Sequence, residues 1–196
     1  MNDLISDTEL LRQMRHGDKR AFTALYRRHH APLYRYAVLR CGSVQAAADV
    51  VQEVFMGLMT EQYHYDALKG NLQYFLFGVA RNVAMKFDAI THSRFGNLAQ
   101  VDPDTDDETD AVELASDEMN PLQRLLHHQM AEDLRIAIAC LAPHYRDVLI
   151  LYELQELSYV DIAEVCQINV GTVRSRLSRA RSALAERLQA YRIDAA

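Results

Sequence analysis

The sequence predicts an all-α fold: two small helical domains joined by a flexible acidic linker, the second domain carrying a helix-turn-helix. Three observations lead there. Apolar residues recur at three- and four-residue spacing along most of the chain and nowhere alternate as in a strand. Only seven glycines and four prolines occur in 196 residues, with no tryptophan, a poor supply for a turn-rich β architecture. One stretch, 101–120, holds nine acids and no base.

That stretch reads VDPDTDDETDAVELASDEMN. It has too little apolar surface to offset the entropy of ordering, so a flexible linker is predicted over 93–120, between domains at 1–92 and 121–196. It also explains the charge. The whole chain carries −6, but with the nine acids set aside, 18 acids stand against 21 bases. The predicted folded parts are mildly basic.

In the first domain, Ser6 and Glu9 form a capping-box pattern ahead of Leu10, Leu11 and Met14. Gly17-Asp18 breaks that helix. Phe22, Leu25, Tyr26, Leu33, Tyr36 and Ala37 mark the next, with a kink expected at Pro32. Gly42-Ser43 opens a turn, and Val50, Val51, Val54, Phe55 and Leu58 form a further stripe. A polar loop, 63–70, precedes a helix from about Asn71 to Phe87 carrying Leu72, Phe75, Leu76, Val79, Ala80 and Val83. In the second domain, Leu125, Leu134, Ile138 and Leu141 are periodic, and Pro143 starts a helix with Val148, Leu149 and Leu151.

Segment 159–178, YVDIAEVCQINVGTVRSRLS, fits a helix-turn-helix. Ser158 and Asp161 make a capping box for its first helix, and Asn169 is a good cap for its second. Gln167 stands where the turn prefers glycine, at a cost of about 1 kcal/mol. In the second helix, Val173, Leu177, Ala180, Leu184 and Leu188 form the buried stripe. Arg174, Ser175, Ser178, Arg179 and Ser182 point away from it. Arginine pairs bidentately with guanine in the major groove, and serine is short enough to let the helix approach the bases. Arg176 and Arg181 flank the stripe, better placed for phosphates. Four arginines within eight positions and no acid among them predict DNA contact.

Several classes are excluded. There is no apolar run of transmembrane length and no signal-peptide pattern, so a cytoplasmic protein without membrane insertion is expected. Cys41, Cys140 and Cys166 stand far apart without a CxxC and read as small buried hydrophobes. The pairs His29–His30 and His127–His128 diverge by about 100° on a helix and read as solvated surface, not metal ligands. No phosphate loop, zinc spacing or nucleophile elbow occurs. Neither enzyme activity, cofactor, metal nor small-molecule substrate is expected.

Segment 141–188 closely resembles the C-terminal promoter-reading domain of bacterial sigma factors of the extracytoplasmic-function (ECF) group, in the sigma-70 family. GDKRAFTALYRRHHAPLYRYA (17–37), DVVQEVFMGLM (49–59) and GNLQYFLFGVARNVAMKF (70–87) resemble that group's N-terminal domain. The resemblance implies an alternative sigma factor that binds core RNA polymerase, at its clamp helices and flap, and directs initiation at promoter DNA, under control of an anti-sigma factor. It implies docking on the clamp through Asp49, Val50, Gln52, Glu53 and Phe55. It implies capture of the unpaired −10 strand by Tyr63, Tyr65, Lys69, Asn71, Tyr74, Arg81, Asn82 and Lys86, types that supply stacking surfaces, cations and amides. Phe75 is read as core. Duplex −35 contact falls to Ser158, Thr172, Arg174, Ser175, Arg176, Ser178, Arg179 and Arg181. The linker would run near the polymerase active site and RNA exit path. The alternative is a helix-turn-helix regulator that binds duplex DNA without core polymerase.

One stretch departs from the family pattern. Where the family often reads DAED before the docking helix, this chain has Ala46, Ala47, Ala48 and Asp49. Two acids that would face the basic clamp are missing, either as tolerated drift or as a weakened dock that needs a compensating event, Ser43 being the nearest hydroxyl. Exposed ion pairs contribute about 0.2–1 kcal/mol each. If the dock is weakened, Ala46→Asp with Ala48→Glu tightens binding to core polymerase by about two- to thirtyfold; unchanged affinity in a titration would show drift.

Overall fold

The computed structural model describes residues 5–95 and 121–194. Among them are eight α-helices and no strand: α1 (Asp7–Arg15), α2 (Lys19–Cys41), α3 (Val44–Met59), α4 (Leu72–Phe95), α5 (Pro121–Ala139), α6 (Pro143–Glu153), α7 (Tyr159–Cys166) and α8 (Val170–Asp194). One 3₁₀ turn, Ala67–Lys69, interrupts the loop before α4. Residues 96–120, most of the predicted linker, lie outside the described residues; 93–95 continue α4.

Local chemistry sets the element ends. The Ser6 hydroxyl accepts from the Glu9 amide at 3.3 Å, and Asp18 caps α2 through the Arg20 amide at 2.8 Å. Gly42 ends α2 in the left-handed region (φ 68°), donating its amide to the Val38 carbonyl at 2.9 Å. Helix α2 runs through Pro32 as one element. Leu25, His29, Leu33, Tyr36 and Ala37 are buried around it, so packing holds the helix across the missing amide.

The N-terminal half packs α2 against α1, α3 and α4, and the C-terminal half packs α8 against α5, α6 and α7. The halves also pack on each other, α5 and α6 on α2, and α7 on α4. At the centre of that junction is Asp147 of α6, only 2% exposed. Three groups of the N-terminal half donate to it. Arg40 Nε reaches Oδ1 at 2.5 Å, Tyr36 Oη reaches Oδ1 at 3.2 Å, and Arg81 Nε reaches Oδ2 at 2.9 Å. Arg40 also donates from Nη2 to Asp88 at 2.7 Å. Arg146 crosses the other way, from Nη1 to the Arg40 carbonyl at 2.7 Å, while Nη2 donates to the carbonyls of Leu141, at 2.9 Å, and Ala139. Burial alone would lower the Arg40 pKa; Asp147 and Asp88 more than compensate and hold it above its ordinary value. The Tyr36 phenol is raised well above 10, by burial first and by Asp147 second.

Three readings of the sequence need correction. His29 is not surface but 3% exposed, because Asp7 at the start of α1 folds over it and takes its Nε2 at 2.9 Å. Leu134 is 39% exposed, while Ile138 and Leu141 are buried. Of the cysteines only Cys166 is buried; Cys41 is half-buried and Cys140 exposed. Cys41 is the last residue of α2 and Cys140 the first after α5, positions where helix periodicity no longer reports burial.

His29 sits below its ordinary pKa of 6.5, chiefly because burial disfavours the imidazolium, with Asp7 opposing. The unfolded chain therefore binds a proton near pH 6.5 that the folded chain refuses until lower pH, and stability falls as pH drops through that window. Thermal melts from about pH 7.5 to 5.5 will show a falling midpoint, and His29→Gln will flatten the slope. His30 and His144 shift in the same direction through burial, so part of the slope persists.

Candidate nucleic-acid and polymerase interface

Helix α3 sorts the predicted docking residues into two groups. Asp49, Gln52 and Glu53 are exposed, on a shared face. Val50 and Phe55 are buried, 0% and 4% exposed, and belong to the core. Phe55 nonetheless forms the floor of an open groove of about 330 Å³ between α2 and α3. Its walls are an i, i+4 ladder on α2: Phe22, Tyr26, His30 and Tyr34. Tyr26 stands 4.8 Å from Phe55, and His30 lies 4.6 Å from Tyr26 and 5.7 Å from Tyr34 between ring centroids. Met56 and Met59, both half-exposed, rim it. The family resemblance pointed only to the α3 side. The α2 contribution was visible as a four-residue aromatic spacing, but that spacing also describes an ordinary core face. Ala48 is exposed beside this groove and Ala46 is half-buried, so both positions can take an acid without entering the core.

The residues assigned to the −10 strand divide by function. Tyr63 is a plug. Its ring lies over Gly57 of α3, where a Cβ would stand 2.1 Å from a ring carbon. Its hydroxyl is buried and has no hydrogen-bond partner among the described residues. Burial, and then Glu53, push its pKa up. Tyr65 closes the loop, donating its hydroxyl to the Gly70 carbonyl at 2.7 Å and leaning on Phe75 at 5.5 Å. Phe75, half-buried, serves that packing. Asn71 caps α4 through the Gln73 amide at 2.8 Å. Tyr65, Asn71, Tyr74 and Asn82 line one cavity of about 360 Å³, whose far wall is Glu164, Val165 and Gln167 of α7. Lys86 is exposed further along α4. Lys69 lies in the 3₁₀ turn, its side chain outside the described residues. Arg81 is not free for a strand: Asp147 holds it, and its side chain is 13% exposed. Sequence reasoning missed this because the two are 66 positions apart.

The helix-turn-helix forms as its caps dictate. Ser158 and Asp161 make a full capping box, the Ser158 hydroxyl accepting from the Asp161 amide at 3.2 Å and donating to its carboxylate at 2.6 Å. Gln167 adopts the left-handed conformation (φ 55°) that the turn requires. Asn169 Oδ1 accepts from the Thr172 amide at 2.7 Å and from its hydroxyl at 2.9 Å. Thr172 thus serves the cap first. Val173, Leu177 and Ala180 are buried, and Leu184 and Leu188 half-buried. Arg174, Ser175, Ser178 and Arg179 are exposed along one side of α8. Arg174 lies over the Tyr159 ring at 5.9 Å.

Two arginines behave otherwise. Arg176 is half-buried, near enough to His144 that, after burial, its charge helps lower that residue's pKa. Arg181 has an acidic partner after all: its Nη2 meets Glu153 at 2.6 Å and its guanidinium lies 5.2 Å from the Tyr152 ring. The partner is 28 positions away on α6, beyond any local pattern.

An aromatic-lined groove, a loop-and-helix cavity lined in part by amides and a capped helix-turn-helix are thus the surfaces this chain presents, and its relatives place it in the class of transcription initiation factors. Its residues 25–87 match the family model "Sigma-70 region 2" and residues 131–184 match "Sigma-70, region 4". It is 30% identical to the RNA polymerase sigma-H factor of Pseudomonas aeruginosa over 93% of this chain and 94% of that one. It is 28% identical to the ECF RNA polymerase sigma-E factor of Escherichia coli K12, over 96% and 97% of the two chains. Among solved structures, it resembles RpoE in complex with the anti-sigma factor NepR from Bartonella quintana, with a TM-score of 0.60, 27% identity and coverage of 86% of this chain and 96% of that one. It shares a fold with CnrH, solved with the cytosolic domain of CnrY, at a TM-score of 0.62 and 22% identity, covering 94% and 97%. The chain belongs to the sigma-70 family and, within it, to the ECF sigma factors.

The Tyr63 plug can be tested. Gly57→Ala puts a methyl into the tyrosine ring and costs about 1–3 kcal/mol by overpacking. In a Tyr63→Ala background the same change is neutral or stabilising, since alanine exceeds glycine in helix propensity by about 1 kcal/mol. Urea titrations of the four proteins measure the coupling.

Proposed function

We propose that this sigma factor docks on core RNA polymerase through the α2–α3 face and reads a bipartite promoter, the −10 strand with loop 63–71 and α4, the −35 duplex with α8. Its N-terminal domain is 1–92 and its C-terminal domain 121–196, joined by the acidic linker. The observation that carries the reading is the face of α8. Arg174 and Arg179 are exposed beside Ser175 and Ser178, and neither arginine pairs with a carboxylate among the described residues. A helix so presented fits the major groove, the arginines reaching guanine edges and the serines allowing close approach.

Docking combines the apolar groove, where α2 aromatics and the α3 methionines offer contact area, with Asp49, Gln52 and Glu53 as polar partners for the clamp. The flap would be met by the C-terminal domain. Sigma factors are not enzymes; bond-making belongs to the polymerase. No described helix is long and apolar enough to cross a membrane, which agrees with action in the cytoplasm. Control by an anti-sigma factor is supported by the similar RpoE of Bartonella quintana, whose structure holds one.

The test is transcription of fragmented host genomic DNA by core polymerase, with and without the protein, mapping RNA 5′ ends. New starts that share two upstream elements are expected; starts that appear without core-dependent selectivity, or none, would refute the reading. Arg174→Ala will lower −35 duplex affinity by about 1–3 kcal/mol, roughly five- to 150-fold. Arg181→Ala will cost less, because Glu153 already neutralises that charge.

A further inference from the structure

We propose that the thioethers of Met56 and Met59 form a reversible oxidation site that sets the affinity of the α2–α3 groove for its partner. This rests on the docking reading of that face.

The described methionines are Met14, Met56, Met59, Met85 and Met130. Met14 is buried, and the other four are between 45% and 68% exposed, open enough for a small oxidant to reach the sulfur. Exposure alone singles out no site; position does. Met56 and Met59 are three apart on α3 and share a helix face. Both line the groove walled by Phe22, Tyr26, His30 and Tyr34, with Phe55 as its floor. Met85 lies on α4 and Met130 on α5, away from it.

A thioether suits such a groove, since it is soft, apolar and favourable beside aromatic rings. Oxidation changes that one atom. The sulfur gives two electrons to an oxidant of the hypohalous acid or hydroperoxide class and takes up its oxygen. Hypochlorous acid leaves as chloride and a proton, a hydroperoxide as water or its alcohol. The product is a polar sulfoxide on the same side chain. In the free chain the new oxygen meets water, because both side chains are already half-exposed, and α3 keeps its buried Val50, Val51, Val54 and Leu58. Under a partner the same oxygen loses that water. The apolar part of the groove, Phe22, Val51 and Phe55, offers no donor in exchange. The acceptor is then stranded, as a thioether never is. The modification therefore acts on the bound state and spares the fold. Methionine sulfoxide reductases return the thioether, so the change can be undone.

The experiment titrates core RNA polymerase with the full chain before and after brief treatment with hypochlorous acid. Peptide mass spectrometry reads the extent of oxidation at each methionine, under conditions that leave Met14 intact. Sulfoxide at Met56 and Met59 should weaken binding about tenfold or more, and methionine sulfoxide reductase should restore it. Met56→Leu with Met59→Leu keeps the apolar volume and removes both sulfurs; that protein should bind equally well treated or untreated. Met85→Leu with Met130→Leu should lose as much on treatment as the wild type. The cysteines are the same in all three proteins, so their oxidation cannot produce this pattern. Circular dichroism follows helix content. The proposal is overturned by equal losses in the wild type and the Met56→Leu, Met59→Leu protein, by full affinity with both sulfoxides present, by absence of sulfoxide at these two positions, or by loss of helix content together with affinity. Untreated Gln52→Arg separates the proposal from the docking reading, since it sets a cation on the exposed face assigned to the basic clamp and should weaken binding. Weakening by Gln52→Arg without any effect of oxidation removes only the oxidation site. If neither changes the affinity, the docking assignment itself fails.

Discussion

A single buried carboxylate organises this molecule. Asp147 is the fifth residue of α6, a short helix whose other inward residues, Val148, Ile150 and Leu151, are apolar and buried. An ionised acid in that setting is costly unless donors surround it. The N-terminal half supplies three, from two different helices: Tyr36 and Arg40 on α2, and Arg81 on α4. The position of α6 on the N-terminal half is thereby fixed at one point. Helix α7 follows α6 and is carried onto α4. Removing one partner from such a group costs about 3–5 kcal/mol, because it strands a buried charge. The junction is therefore discrete: either the donors meet the acid or the halves part.

The two proposed recognition surfaces are built by opposite strategies. The α8 face is local. Its cap, its buried stripe and its exposed basic side all come from one continuous segment, and Asn169 alone aligns the first turn. The −10 surface is assembled from a loop, a 3₁₀ turn and a helix, and much of its apparent chemistry is structural. Tyr63 fills the space over Gly57, Tyr65 ties the loop shut at Gly70, and Asn71 spends its carbonyl on the helix start. What remains for a nucleic acid is the cavity, with Tyr74 and Asn82, and Lys86 further along α4.

That contrast explains what was legible in the sequence. Caps, helix-turn-helix spacing and buried stripes depend on residues three or four apart, and nearly all of them form as read: Ser6, Asp18, Ser158, Gln167 and Asn169 stand at the predicted turns. Misreadings occur where the partner is distant. His29 meets Asp7 across 22 positions, Arg181 meets Glu153 across 28, and Arg40 meets Asp147 across 107. A histidine or arginine on a helix carries no local mark of such a partner, so periodicity assigns it to solvent or to DNA. Asp147 itself gave no signal at all: one acid directly after an arginine on a short helix reads as its solvent face.

Helix α8 also has a consequence for how this protein can change over generations. The side chains that would choose a promoter duplex stand on a face that neither closes the junction nor holds the core. Substitutions there are free to drift, and a copied gene could acquire a new target without rebuilding its fold. The proposed −10 face has less freedom, since Tyr63, Tyr65, Asn71 and Arg81 answer to the core, the loop, the helix start and the opposite half. Diversity among such factors should accumulate on one end of the molecule and stall at the other.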